Sequence, residues 1–76
     1  MGTVYVAEQG AVIARTGERL IVRKGTEVLQ ELPAVQVEQI VILGNASLTA
    51  PTVRFVLDKG IDVAYLSSRG TYRGRL

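Results

Sequence analysis

Nine basic side chains, seven carboxylates and a few hydroxyls are the groups with which this 76-residue chain could do polar chemistry. There is no histidine and no cysteine. That removes the usual general base at neutral pH, the commonest metal ligand, and any thiolate or disulfide. The carboxylates Glu8, Glu18, Glu27, Glu31, Glu38, Asp58 and Asp62 fall mostly at turns, helix ends and solvent-facing strand positions. Glu27 and Glu31 share a strand face but stand about 13 Å apart along it, too far to chelate one cation. Ser47, Ser67 and Ser68 have no imidazole to activate them as nucleophiles. No catalytic, metal-ligating or cofactor-binding residue is therefore assigned, and the chain by itself is expected to be inactive.

The segment Arg69-Gly70-Thr71-Tyr72-Arg73-Gly74-Arg75 is of another kind, because it mixes guanidinium groups, a stackable ring and flexible glycines. Such groups suit contact with phosphates and packing on bases or sugars. Arg69, Tyr72, Arg73 and Arg75 are the candidates for DNA contact, with Arg73 and Arg75 on one edge if the strand alternates regularly. Without those three arginines, six basic groups face seven acidic ones, so the positive end of the molecule is its C-terminal end. The competing reading is a basic edge strand guarded against aggregation. Gly44-Asn45-Ala46-Ser47 joins a strand to a helix, where phosphate loops occur, but it lacks both glycine-rich phosphate motifs and reads as a turn plus cap.

These residues need elements to place them. The first half reads as four short strands in an antiparallel meander: Thr3 to Val6, Ala11 to Arg15, Arg19 to Arg23 and Glu27 to Leu32. Turns fall at Glu8-Gln9-Gly10, Thr16-Gly17-Glu18 and Lys24-Gly25-Thr26, and Pro33 ends the run. A three-residue loop at Lys24-Gly25-Thr26 sets Arg23 against Glu27, Ile21 against Leu29 and Arg19 against Glu31, with Val22 and Val28 paired on the other face. A two-residue loop would instead oppose Leu20 and Glu31, so the first register is expected. On it, Ile21 and Leu29 form an outward apolar patch and are the candidate dimer contacts.

The second half changes character. Ile40 to Leu43 is apolar without alternation, as parallel strands buried on both faces are. Thr49 is placed to cap a helix with Pro51 in its first turn and Val53, Val56 and Leu57 as its apolar stripe. Gly60 is placed to end it, with Ile61 packing back on Val56. Val63 to Leu66 is then a second buried strand, completing a strand-helix-strand crossover of roughly 28 residues. Tyr72 to Leu76 reads as a further strand or the start of a linker. The fold class is α+β, mostly β: a hairpin meander followed by one crossover.

Size permits one domain, residues 1–76, near the lower limit for an independent core. At 47% apolar residues, with Phe55 and three tyrosines the only aromatics, such a chain is expected to hide surface against a partner chain or an adjoining domain. No apolar run approaches the ~20 residues of a membrane helix, and the opening Met1-Gly2-Thr3-Val4 lacks signal-peptide architecture. A cytoplasmic protein with no membrane partner is the expectation.

The string Val41 to Pro51, then Arg54-Phe55, Lys59-Gly60-Ile61, Leu66 to Gly70 and Tyr72 to Leu76, together with the opening Tyr5 to Ala11, resembles the N-terminal domain of CRISPR-associated protein one. The resemblance covers essentially the whole chain through the order and spacing of its motifs. It implies a prokaryotic integrase and endonuclease of CRISPR adaptation, dimeric through this β-rich domain. It further implies a separate helical catalytic domain carrying glutamate, histidine and aspartate ligands for Mg or Mn. Implied partners are a second copy, CRISPR-associated protein two, and double-stranded protospacer and repeat DNA. None of the metal ligands maps onto this chain. The aromatic brace that some relatives carry in the first turn is not transferred to Glu8-Gln9-Gly10. A stand-alone dimeric nucleic-acid-binding or regulatory module is the alternative.

Overall fold

The computed structural model describes residues 2–76; Met1, included in the expected domain, lies outside them. The strands are β1 (Thr3–Val6), β2 (Val12–Thr16), β3 (Arg19–Lys24), β4 (Glu27–Pro33), β5 (Gln39–Leu43), β6 (Ser47–Leu48), β7 (Asp62–Leu66) and β8 (Tyr72–Arg75). One helix, α1 (Ala50–Lys59), lies between β6 and β7, and a 3-10 turn covers Ala34–Gln36. The expected α+β, mostly-β class is what forms, as two four-stranded sheets ordered β1-β5-β7-β8 and β4-β3-β2-β6.

The first sheet is built around β5. Its apolar run pairs in parallel with β1 on one side and β7 on the other, so Ile40, Val41 and Ile42 are all buried. Here the structure departs from the four-strand meander. Only β2, β3 and β4 are consecutive antiparallel strands, while β1 crosses to the other sheet. The physical reason lies in β5: an unalternating apolar strand needs a neighbour on each edge, and Val4 and Val6 on β1 supply inward side chains in register with Ile40 and Ile42. The turn at Gln9-Gly10 thus joins two sheets, and Gly10 N–H donates to Asn45 O at 2.6 Å. The dipeptide β6 adds to β2 in parallel and takes in Ser47, the last residue of the expected Gly44-Asn45-Ala46-Ser47 turn.

The register of the β3–β4 hairpin is also corrected. Lys24 pairs with Glu27 across a two-residue Gly25-Thr26 turn, with Gly25 at φ 61°, a positive φ at the first central position as in type II′ turns. A bulge at Leu29 then shifts the ladder, so Arg23 faces Val28, Val22 faces Gln30, Ile21 faces Glu31 and Leu20 faces Leu32. The expected three-residue register does not occur, the rejected two-residue one holds only as far as Arg23 and Val28, and Ile21 does not oppose Leu29. The bulge resolves what either regular register would compromise: it keeps Leu20 and Val22 facing the interior while Arg19 reaches Glu31 diagonally at 2.7 Å.

Between the sheets lie Val4, Val6, Ile13, Leu20, Val22, Ile40, Ile42 and Val63, joined at one end by Phe55 and Val56 of α1. The helix begins and ends where expected. Thr49 accepts from Thr52 N–H, and Gly60 adopts the left-handed conformation at φ 71°. The Gly60 N–H reaches Leu57 O and the Ile61 N–H reaches Val56 O at 2.9 Å, a Schellman closure. The buried stripe, however, is Thr52, Phe55 and Val56, one residue ahead of the expected Val53, Val56 and Leu57; Leu57 is exposed. Capping chemistry sets this rotation. The fully buried Thr52 hydroxyl has its partner in Thr49 Oγ1 at 2.7 Å, which turns that face inward. Replacing Thr49 by alanine should remove the cap and orphan Thr52, a loss of about 1–3 kcal/mol. Thermal melts of Thr49→Ala and Thr49→Ser check this: the serine variant should recover most of the loss, and equal melting of the two would defeat the capping argument.

Candidate nucleic-acid interface

Strands β1, β5 and β7 are parallel, so their carboxyl ends lie together at one end of the first sheet. Ligands of open parallel sheets bind in that position, where loops diverge from the strand ends. Here the loops Ala7–Gly10, Gly44–Ala46 and Ser67–Thr71 surround a shallow cleft of ≈ 440 Å³, lined by Gln9, Gly44, Asn45, Ser67, Ser68 and Arg73.

Each wall is tied down by its own side chain. Gln9 Nε2 donates to Ala7 O at 3.2 Å and Leu43 O at 3.4 Å, while its Oε1 accepts from Asn45 N–H at 2.9 Å. Gly44 lies under that amide: its φ is 83°, and a Cβ there would stand 2.5 Å from Gln9 Nε2. On the other wall Ser67 Oγ accepts from Thr71 N–H at 3.0 Å and Arg69 N–H at 3.3 Å, and Gly70 turns the chain at φ 89°. Ser67 therefore organises a turn.

The four DNA-contact candidates are not equivalent. Arg69 sits in the exposed turn and Tyr72 is exposed at the start of β8, opposite Leu66. Arg73 lines the cleft. Arg75 faces Ala64 and its Nη2 lies 3.4 Å from Asp62 Oδ2. The expectation that Arg73 and Arg75 share an edge is overturned. Tyr72 opposes Leu66 and Gly74 opposes Tyr65, so Arg73 is the extra residue of a bulge and breaks the alternation. Among the described residues neither Arg69 nor Arg73 has a carboxylate partner, unlike Arg75.

Gln9 and Asn45 were not singled out from sequence. Their only signal was a glycine beside each, Gly10 and Gly44, both at positive φ. The dimer candidates lie on the second sheet. Ile21 is half-buried beside Ala14 and Glu31, while Leu29, the bulged residue, is 41% exposed next to Val28 at 55% on the edge strand β4. Among the described residues no group of three or more His, Cys, Asp or Glu side chains is placed to hold a metal. No described helix is long and apolar enough to cross a membrane. Burial raises the Tyr65 phenol above its ordinary 10.0. The folded state therefore retains that proton longer, and the associated stability, full below pH 10, falls as pH climbs through the raised value.

Two packed sheets, each containing parallel and antiparallel pairs, define a small mixed-sheet module whose polar features converge on one sheet end. The family described as CRISPR associated protein Cas1 matches residues 4–76, and the chain belongs to that family. It is 43% identical over 74 residues to CRISPR-associated endonuclease Cas1 3 of Thermus thermophilus, covering 95% of this chain and 22% of that protein. It is 34% identical over 73 residues to Cas1 1 of the same organism, covering 95% and 23%. The chain thus spans about a fifth of the curated relatives it matches. Among solved structures, a partial Cas6-RT-Cas1–Cas2 complex aligns with TM-score 0.91 at 21% identity, over 99% of this chain and 23% of that one. A Cas1 protein from Thermotoga maritima aligns with TM-score 0.84 at 21% identity, over 100% and 24%. At such identities these two establish the shared fold.

Proposed function

We propose that this chain is the N-terminal dimerisation and DNA-platform domain of a metal-dependent integrase and endonuclease that acquires CRISPR spacers in prokaryotic antiviral defence. The family match over residues 4–76 carries this reading. The domain acts by geometry: a rigid pair of β layers related by a two-fold axis sets the spacing of two distant active sites. The Mg or Mn ligands and the chemistry belong to a helical domain outside these residues. Protospacer and repeat DNA, a second copy of the protein and CRISPR-associated protein two are its partners. Support for the last is that solved relatives of this fold occur in Cas1–Cas2 complexes.

Two copies meet through the outward apolar residues of the second sheet, Ile21 and Leu29, with the exposed Val28 beside them. Replacing Leu29 by aspartate should weaken the dimer roughly tenfold or more with a much smaller effect on the monomer, because Leu29 is 41% exposed there and the charge is fully buried unpaired only in the complex. Sedimentation across a concentration series checks it. A wild-type chain that stays monomeric at high micromolar concentration would remove the dimer from the proposal. Nuclease turnover by these residues alone would remove the platform role.

A further inference from the structure

The platform reading does not say where on this domain a nucleic acid would rest. We propose that the cleft formed by Asn45, Ser68 and Arg73 at the carboxyl ends of β5 and β7 holds a backbone phosphate diester of nucleic acid. This rests on the platform reading and gives it a site.

The bulge is the first support. A regular β8 would keep Arg73 in the same alternation as Arg75, whose guanidinium is engaged by Asp62. The extra residue instead leaves Arg73 lining the cleft, and Gly74 follows at φ 151°, in a region that essentially only glycine occupies. Bulges of this kind re-aim one side chain at a cost in ladder hydrogen bonding, and the side chain re-aimed here is a cation.

The chemistry of the lining is the second. Every side chain around the cleft is polar or absent, and no carboxylate lines it. Among the described residues the Asn45 amide, the Ser68 hydroxyl and the Arg73 guanidinium have no hydrogen-bond or ion-pair partner, while Gln9 and Ser67 are occupied in holding the walls. Three unspent donors, one of them a guanidinium, match the oxygens of a phosphate, and arginine, serine and asparagine are common donors to nucleic-acid backbones. The cleft is open and has no apolar or aromatic floor on which a base would stack, so a phosphate fits and a nucleobase does not. Recognition here is accordingly independent of base sequence.

The walls are also fixed before any ligand arrives. Gly44 N–H donates to Leu66 O at 2.9 Å and Gly10 N–H to Asn45 O at 2.6 Å, which binds the loops after β1, β5 and β7 into one rim. Preorganisation of this sort reduces the ordering cost of binding.

The test uses the protein as the cell makes it, with Arg73→Gln and Ser68→Ala as site variants. Arg54→Gln, which removes the same charge from an exposed position on α1, is the control. Binding of a short duplex is followed by anisotropy across a salt series. Arg73→Gln should weaken binding roughly tenfold and make the log–log salt slope shallower by about one, and Arg73→Lys should recover part of the loss. Ser68→Ala should weaken binding by a few-fold, and Arg54→Gln should leave both quantities unchanged. Side-chain NMR shifts of Asn45 on adding the duplex would place the contact. Equal losses in Arg73→Gln and Arg54→Gln overturn the cleft and leave the platform standing. Shifts with inorganic phosphate but no duplex binding overturn the diester. A wild-type protein that binds neither overturns the site together with the platform.

Discussion

Truncating Phe55 to alanine is expected to destabilise the domain by about 3–5 kcal/mol. Phe55 is its one phenylalanine and is buried where α1 meets both sheets. Its ring also anchors charge. The Arg15 guanidinium lies 4.4 Å from the ring centroid and Lys59 Nζ 5.7 Å, so two cations from different elements are placed over one aromatic ring. Arg15 is held there by donating twice to Gly17 O, at 3.0 and 2.9 Å. Removing the ring loses the buried area, opens a cavity and releases both cations. A domain of this size holds roughly 4–11 kcal/mol of stability in all, so the variant should lose a large share of it and melt well below the parent. Circular dichroism melts of Phe55→Ala and Phe55→Leu separate the contributions. Leucine should restore most of the packing, and an Arg15→Ala double cycle should show coupling of about 0.5–1 kcal/mol. A Phe55→Ala melt within about 4 °C of the parent would contradict the packing described.

Ile42→Ala should cost about 2–5 kcal/mol. Ile42 has no exposed surface and sits on the central strand of the parallel sheet, between Val6 and Tyr65 in register. The side chain cannot be replaced by solvent, and three strands in register leave little room to collapse into the gap. Because β5 carries Gly44 and Asn45 at its end, loosening it should also reach the cleft. Amide exchange at Leu43 and Gly44 should speed up in Ile42→Ala, whereas Ile42→Val should cost only about 0.5–1.5 kcal/mol and leave the exchange near that of the parent. Normal protection at Leu43 in the alanine variant would mean that the rim is held by its own hydrogen bonds, independently of the packing of β5.

The Gln9 clasp explains how a small domain keeps a polar cleft in shape without a buried polar network. Among the described residues, every buried side-chain polar atom has a hydrogen-bond partner. The clasp stays at the surface, where an imperfect hydrogen bond is cheaply compensated by water. The apolar interior and the polar rim are thus separated, and the variants at Arg73 and Ser68 can be read without confounding loss of the core.

What could be read from residues alone was local. Thr49 and Gly60 bracket the helix because capping depends on a few neighbouring atoms, and both ends are found where their chemistry places them. The absence of alternation from Ile40 to Leu43 marked a doubly buried strand for the same reason: burial on two faces leaves its own pattern. Family membership was legible too, since order and spacing of motifs survive in the chain. The partner of each strand was not. Val4 and Val6 alternate equally well beside β2 or beside β5, and only the demand of β5 for two neighbours sends β1 across. Bulges are invisible for a related reason. One inserted residue at Leu29 or Arg73 costs a ladder bond locally and is repaid by packing or side-chain direction elsewhere, which no window of sequence contains. The separation of Arg73 from Arg75, and with it the location of the cleft, therefore belongs to the tertiary structure.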